Sequence, residues 1–156
     1  MINTQNLVWA DLQSVKNVPA KALNWLADEQ SLTAKLRHKF ADFGLNVISQ
    51  TQTIPNKNEA KILDFSGQVL VREVALLGGG RAVVFARSVI PITTDTKDLL
   101  EIGTQPLGEI LFNNTNIKRG KMQIAQAQNA WGRRRVFTIG ETQLLVAEFF
   151  LEDLYE

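Results

Sequence analysis

The chain has 156 residues, 45% of them apolar and 21% charged, which is the composition of one folded domain and not of a disordered segment. Lysine and arginine together number 17 against 16 aspartates and glutamates, so no net field draws the molecule to nucleic acid or to an anionic membrane, and the lack of cysteine excludes disulfides and thiolate metal sites. No apolar run approaches the ~20 residues of a bilayer span and the first residues lack a signal peptide's basic start, so no stable membrane insertion is expected and the expected location is the cytoplasm.

In chain order, residues 2–18 carry Trp9 and Leu12 without a sustained period and read as an irregular arm. Pro19 opens a helix over residues 20–29, with Leu23, Leu26 and Ala27 on one stripe. Ser31 caps a second helix over residues 32–43, which Gly44 ends. From Leu45 the period becomes two, which predicts a strand over residues 45–53 stopped by Pro55, and residues 59–65 read as a short helical piece. Two runs of β-formers, residues 69–77 and 82–90, flank Gly78-Gly79-Gly80-Arg81 and predict a hairpin. Short helices over residues 97–102 and 107–112 follow, the second with Thr104 as cap and Pro106 in its first turn. Three strands close the chain, over residues 116–126, 132–139 and 142–151, the last two joined by Gly140-Glu141. Six strands with short connections and helices gathered on part of the sheet predict a single α+β domain over residues 1–156.

Two strands each send one charge onto an apolar face. Strand alternation puts Arg72 with Leu70, Val74 and Leu76, and Glu148 with Leu144, Val146 and Phe150. An unpaired buried charge is too costly to keep. Either Arg72 and Glu148 pair with each other, or they mark a pocket with an arginine at one end and a carboxyl at the other, suited to a small molecule bearing a carboxylate and a hydroxyl. Two helix starts, at Leu32 and Leu107, leave backbone N–H groups open for an anion if they face that pocket. In Trp131-Gly132-Arg133-Arg134-Arg135 the alternation sends Arg133 and Arg135 to one face and Arg134 to the other, as a salt-bridged surface or a second anion site. The triple glycine lies between strands and is a turn, not a phosphate loop. His38, the single histidine, lies between Arg37 and Lys39 on a charged helix face and reads as solvated.

Seven stretches in order carry a resemblance: Val18-Pro19, DEQSLT at 28–33, VREVALL at 71–77, ARSVIP at 86–91, PLGEILF at 106–112, WGRRR at 131–135 and LLVAEFFL at 144–151. Together they resemble the chorismate pyruvate-lyase family, whose members cut chorismate into 4-hydroxybenzoate and pyruvate at the entry to ubiquinone synthesis. The resemblance implies a six-stranded antiparallel sheet with helices forming flaps over an internal ligand pocket. It assigns the pocket to Arg72, Glu148 and the backbone amides of Leu32 and Leu107; Leu32 stands where a methionine is expected, but the contact there is made by the backbone. It implies that Arg72 and the amides hold the ring carboxylate and that Glu148 meets the 4-hydroxyl end. The enolpyruvyl carboxylate needs a partner too, for which Arg87, Arg133, Arg134 and Arg135 are candidates. No metal or organic cofactor is implied. The alternative is a non-catalytic domain of the same fold that binds an aromatic carboxylate as a sensor, against which 156 residues leave no room for a DNA-binding domain. No oligomer seam stands out, and a monomer is expected.

Overall fold

The computed structural model describes residues 2–156; Met1, the first residue of the predicted domain, lies outside them. Strand β1 (Ala10–Asp11) is followed by helices α1 (Ala20–Leu26) and α2 (Leu32–Lys39), strand β2 (Gly44–Thr53), helix α3 (Lys57–Leu63), the hairpin β3 (Val69–Gly78) and β4 (Arg81–Pro91), helix α4 (Leu107–Asn113), and strands β5 (Lys118–Ala127), β6 (Ala130–Ile139) and β7 (Thr142–Phe150). All strands join one antiparallel sheet in the order β1-β5-β6-β7-β4-β3-β2.

The sheet has seven strands among the described residues, one more than the six read from the sequence. The extra strand is β1, in which Ala10 and Asp11 pair with Ile124 and Gln123 of β5. Two residues carry no readable period, and their pairing comes from docking of the arm against the sheet edge. The first two helices are shorter than predicted. The chain after α1 turns where the Asp28 carboxylate accepts the Gln30 N–H at 2.8 Å, and α2 stops where Phe40 adopts an extended conformation and packs its ring against Gly78. The segment read as a helix over residues 97–102 is a single 3-10 turn, Lys97–Leu99.

The β3–β4 hairpin closes through Gly79 and Gly80, whose φ angles of 62° and 75° lie in the left-handed region that matches strand twist at a two-residue loop. Its register contains one irregularity: Leu77 faces Ala82, but Leu76 faces Val84. A hairpin counted without this bulge would set Arg72 opposite Arg87. The extra residue sets Arg72 opposite Ser88 instead, and Arg87 projects from the other face.

Across the middle of the sheet, Arg133 of β6 faces Glu148 of β7, Glu148 faces Ala86 of β4, and Ser88, two residues along β4, faces Arg72 of β3. The apolar side chains on this face form two clusters. One gathers Leu26, Leu36, Val74, Leu76 and Phe150; the other gathers Ile90, Leu107, Leu111, Leu144 and Val146. Arg72, Ser88 and Glu148 occupy the strand positions between them. Helix α3 and the N-terminal arm cover the opposite face through Leu63, Val89, Phe85 and Phe149.

Gly132 tests the closeness of β6 to β7, because a Cβ there would fall on the Phe149 ring. Gly132→Ala is expected to cost about 1–3 kcal/mol through overpacking, read as a lower denaturation midpoint. Gly44→Ala, whose Cβ meets nothing nearer than the Asp42 carbonyl oxygen at 4.0 Å, should stay within about 0.5 kcal/mol of the wild type.

Candidate functional site

Arg72 sits mid-strand on β3 and is 2% exposed. Its Nη1 donates to Gln50 Oε1 at 3.2 Å, from the facing position on β2, and its Nη2 donates to the Gln105 carbonyl at 3.0 Å, from the loop before α4. Both acceptors are neutral, and none of the ion pairs among the described residues includes Arg72. Burial pushes its pKa below the ordinary arginine value, with no facing anion to offset the loss of water.

Glu148 pairs with Arg133 and not with Arg72. Arg133 Nε donates to Glu148 Oε1 at 3.0 Å, while Arg133 Nη1 donates to the carbonyls of Trp25, Leu26 and Asp28 at 3.1, 3.4 and 2.7 Å. Arg133 therefore ties the carboxylate to the C-terminal end of α1 and the turn after it. The other oxygen, Oε2, has no hydrogen bond among the described residues and lies 3.6 Å from where a Cβ at Gly108 would stand, an ordinary van der Waals distance.

Two cavities meet at Glu148. The smaller, about 20 Å³, is bounded by Arg72, Ser88 and Leu107; the larger, about 60 Å³, by Leu32, Arg119, Arg133 and Arg135. Thr33, Gly108, Val146 and Glu148 border both. Leu32 and Leu107 are the first residues of α2 and α4, and neither N–H makes a hydrogen bond among the described residues. Ser31 caps α2, as expected, by accepting the Ala34 N–H at 3.2 Å. The predicted Thr104 cap is absent: Pro106 holds that position, without a side-chain bond. Helices α2 and α4 are joined by Arg37 and Glu109, 2.6 Å apart.

The four arginines considered for a second carboxylate divide between the faces. Arg87 lies on the opposite face, bonded to Glu59 at 2.8 and 3.1 Å and to Glu73 at 2.9 Å; burial lowers its pKa, but the two carboxylates outweigh this and raise it. The Arg134 guanidinium also lies there, donating to Gln123 and Asn58 and stacked 4.5 Å from the centre of the Trp9 ring, and burial lowers its pKa to about 10 against the opposing charge of Glu59. Arg133 and Arg135 face the larger cavity. Sequence alternation separated Arg133 and Arg135 from Arg134, but could not supply the Arg133–Glu148 pair or the Gln105 carbonyl, both of which depend on strand order and loop path. His38 is exposed, as expected, and no group of three metal-ligating side chains forms among the described residues.

A family model described as chorismate lyase matches residues 3–156. The chain belongs to the chorismate lyase family. A relative from Psychromonas ingrahamii named probable chorismate pyruvate-lyase is 37% identical over 152 residues, covering 83% of this chain and 81% of its own. One of the same name from Shewanella sp. (strain MR-7) is 33% identical over 169 residues, covering 94% of this chain and 88% of its own. Among solved structures, PhnF from Mycobacterium smegmatis superposes with a TM-score of 0.54 at 12% identity, covering 79% of this chain and 64% of its own. A GntR-family transcriptional regulator from Bacillus cereus gives 0.52 at 12%, covering 74% of this chain and 95% of its own. At that identity the likeness is one of fold. In this chorismate lyase family member the four residues singled out from sequence, Arg72, Glu148, Leu32 and Leu107, all border the joined cavities.

Removing Arg133 should expose the cost of the carboxylate it holds. Arg133→Ala is expected to destabilise the chain by about 1–3 kcal/mol in chemical denaturation, because the largely covered Glu148 loses its counter-charge. Adding Glu148→Gln to that variant should recover part of the loss, giving a non-additive double-mutant cycle.

Proposed function

We propose that the joined cavities between α2, α4 and the sheet are the site at which this protein converts chorismate to 4-hydroxybenzoate and pyruvate. The observation that carries the reading is the state of Arg72: a guanidinium buried in the sheet face, given two neutral acceptors and no carboxylate. A ring carboxylate entering from the cavity supplies the missing anion, and the Leu32 and Leu107 N–H groups add donors at the helix starts that border the same space. With the carboxylate end fixed, the ring extends toward Glu148, whose unbonded Oε2 meets the 4-hydroxyl end.

The reaction asks little of the protein beyond geometry. The proton on ring C4 leaves, its bonding pair enters the ring, and the C3–oxygen bond breaks with its pair going to the leaving enolpyruvate. That enolate takes a proton on its methylene carbon to become pyruvate, and the ring becomes aromatic, which draws the elimination strongly downhill. The side chains orient the substrate and keep water out. Arg72 fixes one end. Glu148, held by Arg133, aligns the hydroxyl end and, in this reading, accepts the C4 proton.

Helices α2 and α4 act as flaps in this reading. Cavities of about 60 and 20 Å³ hold water but not a ten-carbon diacid, so the helices part for substrate and close behind it, with the exposed Arg37–Glu109 pair between them. The protein then supplies 4-hydroxybenzoate to ubiquinone synthesis, as a cytoplasmic monomer. The sensor reading rests on the fold shared with transcription regulators at 12% identity, and no feature of the site favours it.

The test mixes purified protein with chorismate and follows 4-hydroxybenzoate by its ultraviolet absorbance. Wild type is expected to form product. Glu148→Gln should lower kcat by about 10²-fold or more, and Arg72→Ala should lower kcat/KM by a similar factor. A wild type that binds 4-hydroxybenzoate but forms none from chorismate above the uncatalysed rate would replace the lyase with a binding domain.

A further inference from the structure

The larger cavity holds more positive charge than the chain itself neutralises. Arg119, Arg133 and Arg135 border it, and Glu148 is engaged by Arg133. The other two arginines share one carboxylate, that of Glu29, in the turn between α1 and α2. Arg135 Nη2 donates to both Glu29 oxygens at 3.2 Å, and Arg119 Nη2 donates to Oε2 at 3.4 Å. Arg135 is otherwise anchored through Nη1 to the Gly120 carbonyl at 2.7 Å. Burial, together with the charges of Arg119 and Arg133, lowers the Arg135 pKa against the pull of Glu29, as expected where one acid serves a cluster of bases.

We infer that Glu29 occupies, in the free protein, the place that the enolpyruvyl carboxylate of chorismate takes on Arg135 and Arg119, and that substrate binds by exchanging its own carboxylate for that of Glu29. The inference rests on the lyase reading and adds to it the specificity group for the second half of the substrate.

Three features make the exchange favourable in one direction. The side chains differ in burial: that of Glu29 is 58% exposed and that of Arg135 is 16% exposed. Glu29 thus returns to water at little cost, whereas Arg135 needs an anion wherever Glu29 goes. The two carboxylate-binding arginine groups also lie on opposite sides of Glu148, Arg72 on the smaller cavity and Arg135 on the larger, as the two acids of one substrate require when the C3–C4 bond is beside Glu148. Last, Glu29 lies two residues before the Ser31 cap, so its backbone is tied to the start of α2, which borders the same cavity. Arg87 and the Arg134 guanidinium, engaged on the other sheet face, are not needed.

The experiment measures chorismate KM and 4-hydroxybenzoate Kd for wild type, Glu29→Gln and Arg135→Gln, with thermal melts to verify folding. The product lacks the enolpyruvyl group and reports only the Arg72 half. Glu29→Gln removes the competing charge and should lower chorismate KM about three- to tenfold, with product Kd unchanged. Arg135→Gln should raise KM tenfold or more, again with product Kd unchanged. A chorismate KM in Glu29→Gln that is unchanged or higher, or a product Kd that moves in step with KM in either variant, overturns the exchange and leaves Glu29 a turn-holding residue. Absence of turnover in wild type would instead overturn the lyase reading, and is seen before the variants are compared.

Discussion

A guanidinium carried into a sheet face without a carboxylate is the constraint on which this structure turns. Arg72 keeps two hydrogen bonds to neutral oxygens, but nothing among the described residues neutralises it. Such a group costs several kcal/mol unless an anion is supplied, and proteins retain groups of that kind where function needs them. The surrounding architecture keeps the position open: the two apolar clusters stop short of each other at Arg72, Ser88 and Glu148, and the starts of α2 and α4 roof the gap. Core packing stabilises the domain on either side of that gap.

Much of this was legible in the sequence because strand alternation is rigid. A period of two puts Arg72 and Glu148 on apolar faces whatever the fold, and the helix start at Leu32 follows from Ser31, whereas for the helix at Leu107 the sequence points to Thr104 as the cap, a place that Pro106 takes. What was not legible depended on pairing. The alternative in which Arg72 and Glu148 neutralise each other fails because Ser88 stands opposite Arg72 while Arg133, on β6, stands opposite Glu148. The face of Arg87 was hidden for a sharper reason. One bulge residue between Leu76 and Leu77 and their partners reverses the parity of β4, and no residue type near Val83 announces it. Strand β1 escaped notice because two residues have no period.

The arginines of the WGRRR stretch show how one motif serves two faces. Arg134 stacks on Trp9 and holds Asn58, fastening the arm and α3 to the back of the sheet. Arg133 and Arg135, one residue to either side, hold Glu148 and Glu29 on the front. The motif therefore couples the α1–α2 turn to the Glu148 carboxylate through one set of hydrogen bonds. The fold is shared with regulators that are similar at 12% identity, so the sheet alone carries no function.

The most direct measurement is thermal unfolding of wild type and Arg72→Met, each with and without saturating 4-hydroxybenzoate. If Arg72 is held without a protein counter-ion for the sake of the ligand, the free Arg72→Met variant melts at or above the free wild type, and ligand raises only the wild-type Tm. At a hundred times Kd that rise corresponds to about 2.7 kcal/mol. A variant that melts well below wild type without ligand, and is still stabilised by 4-hydroxybenzoate, would make Arg72 a structural group and contradict the account.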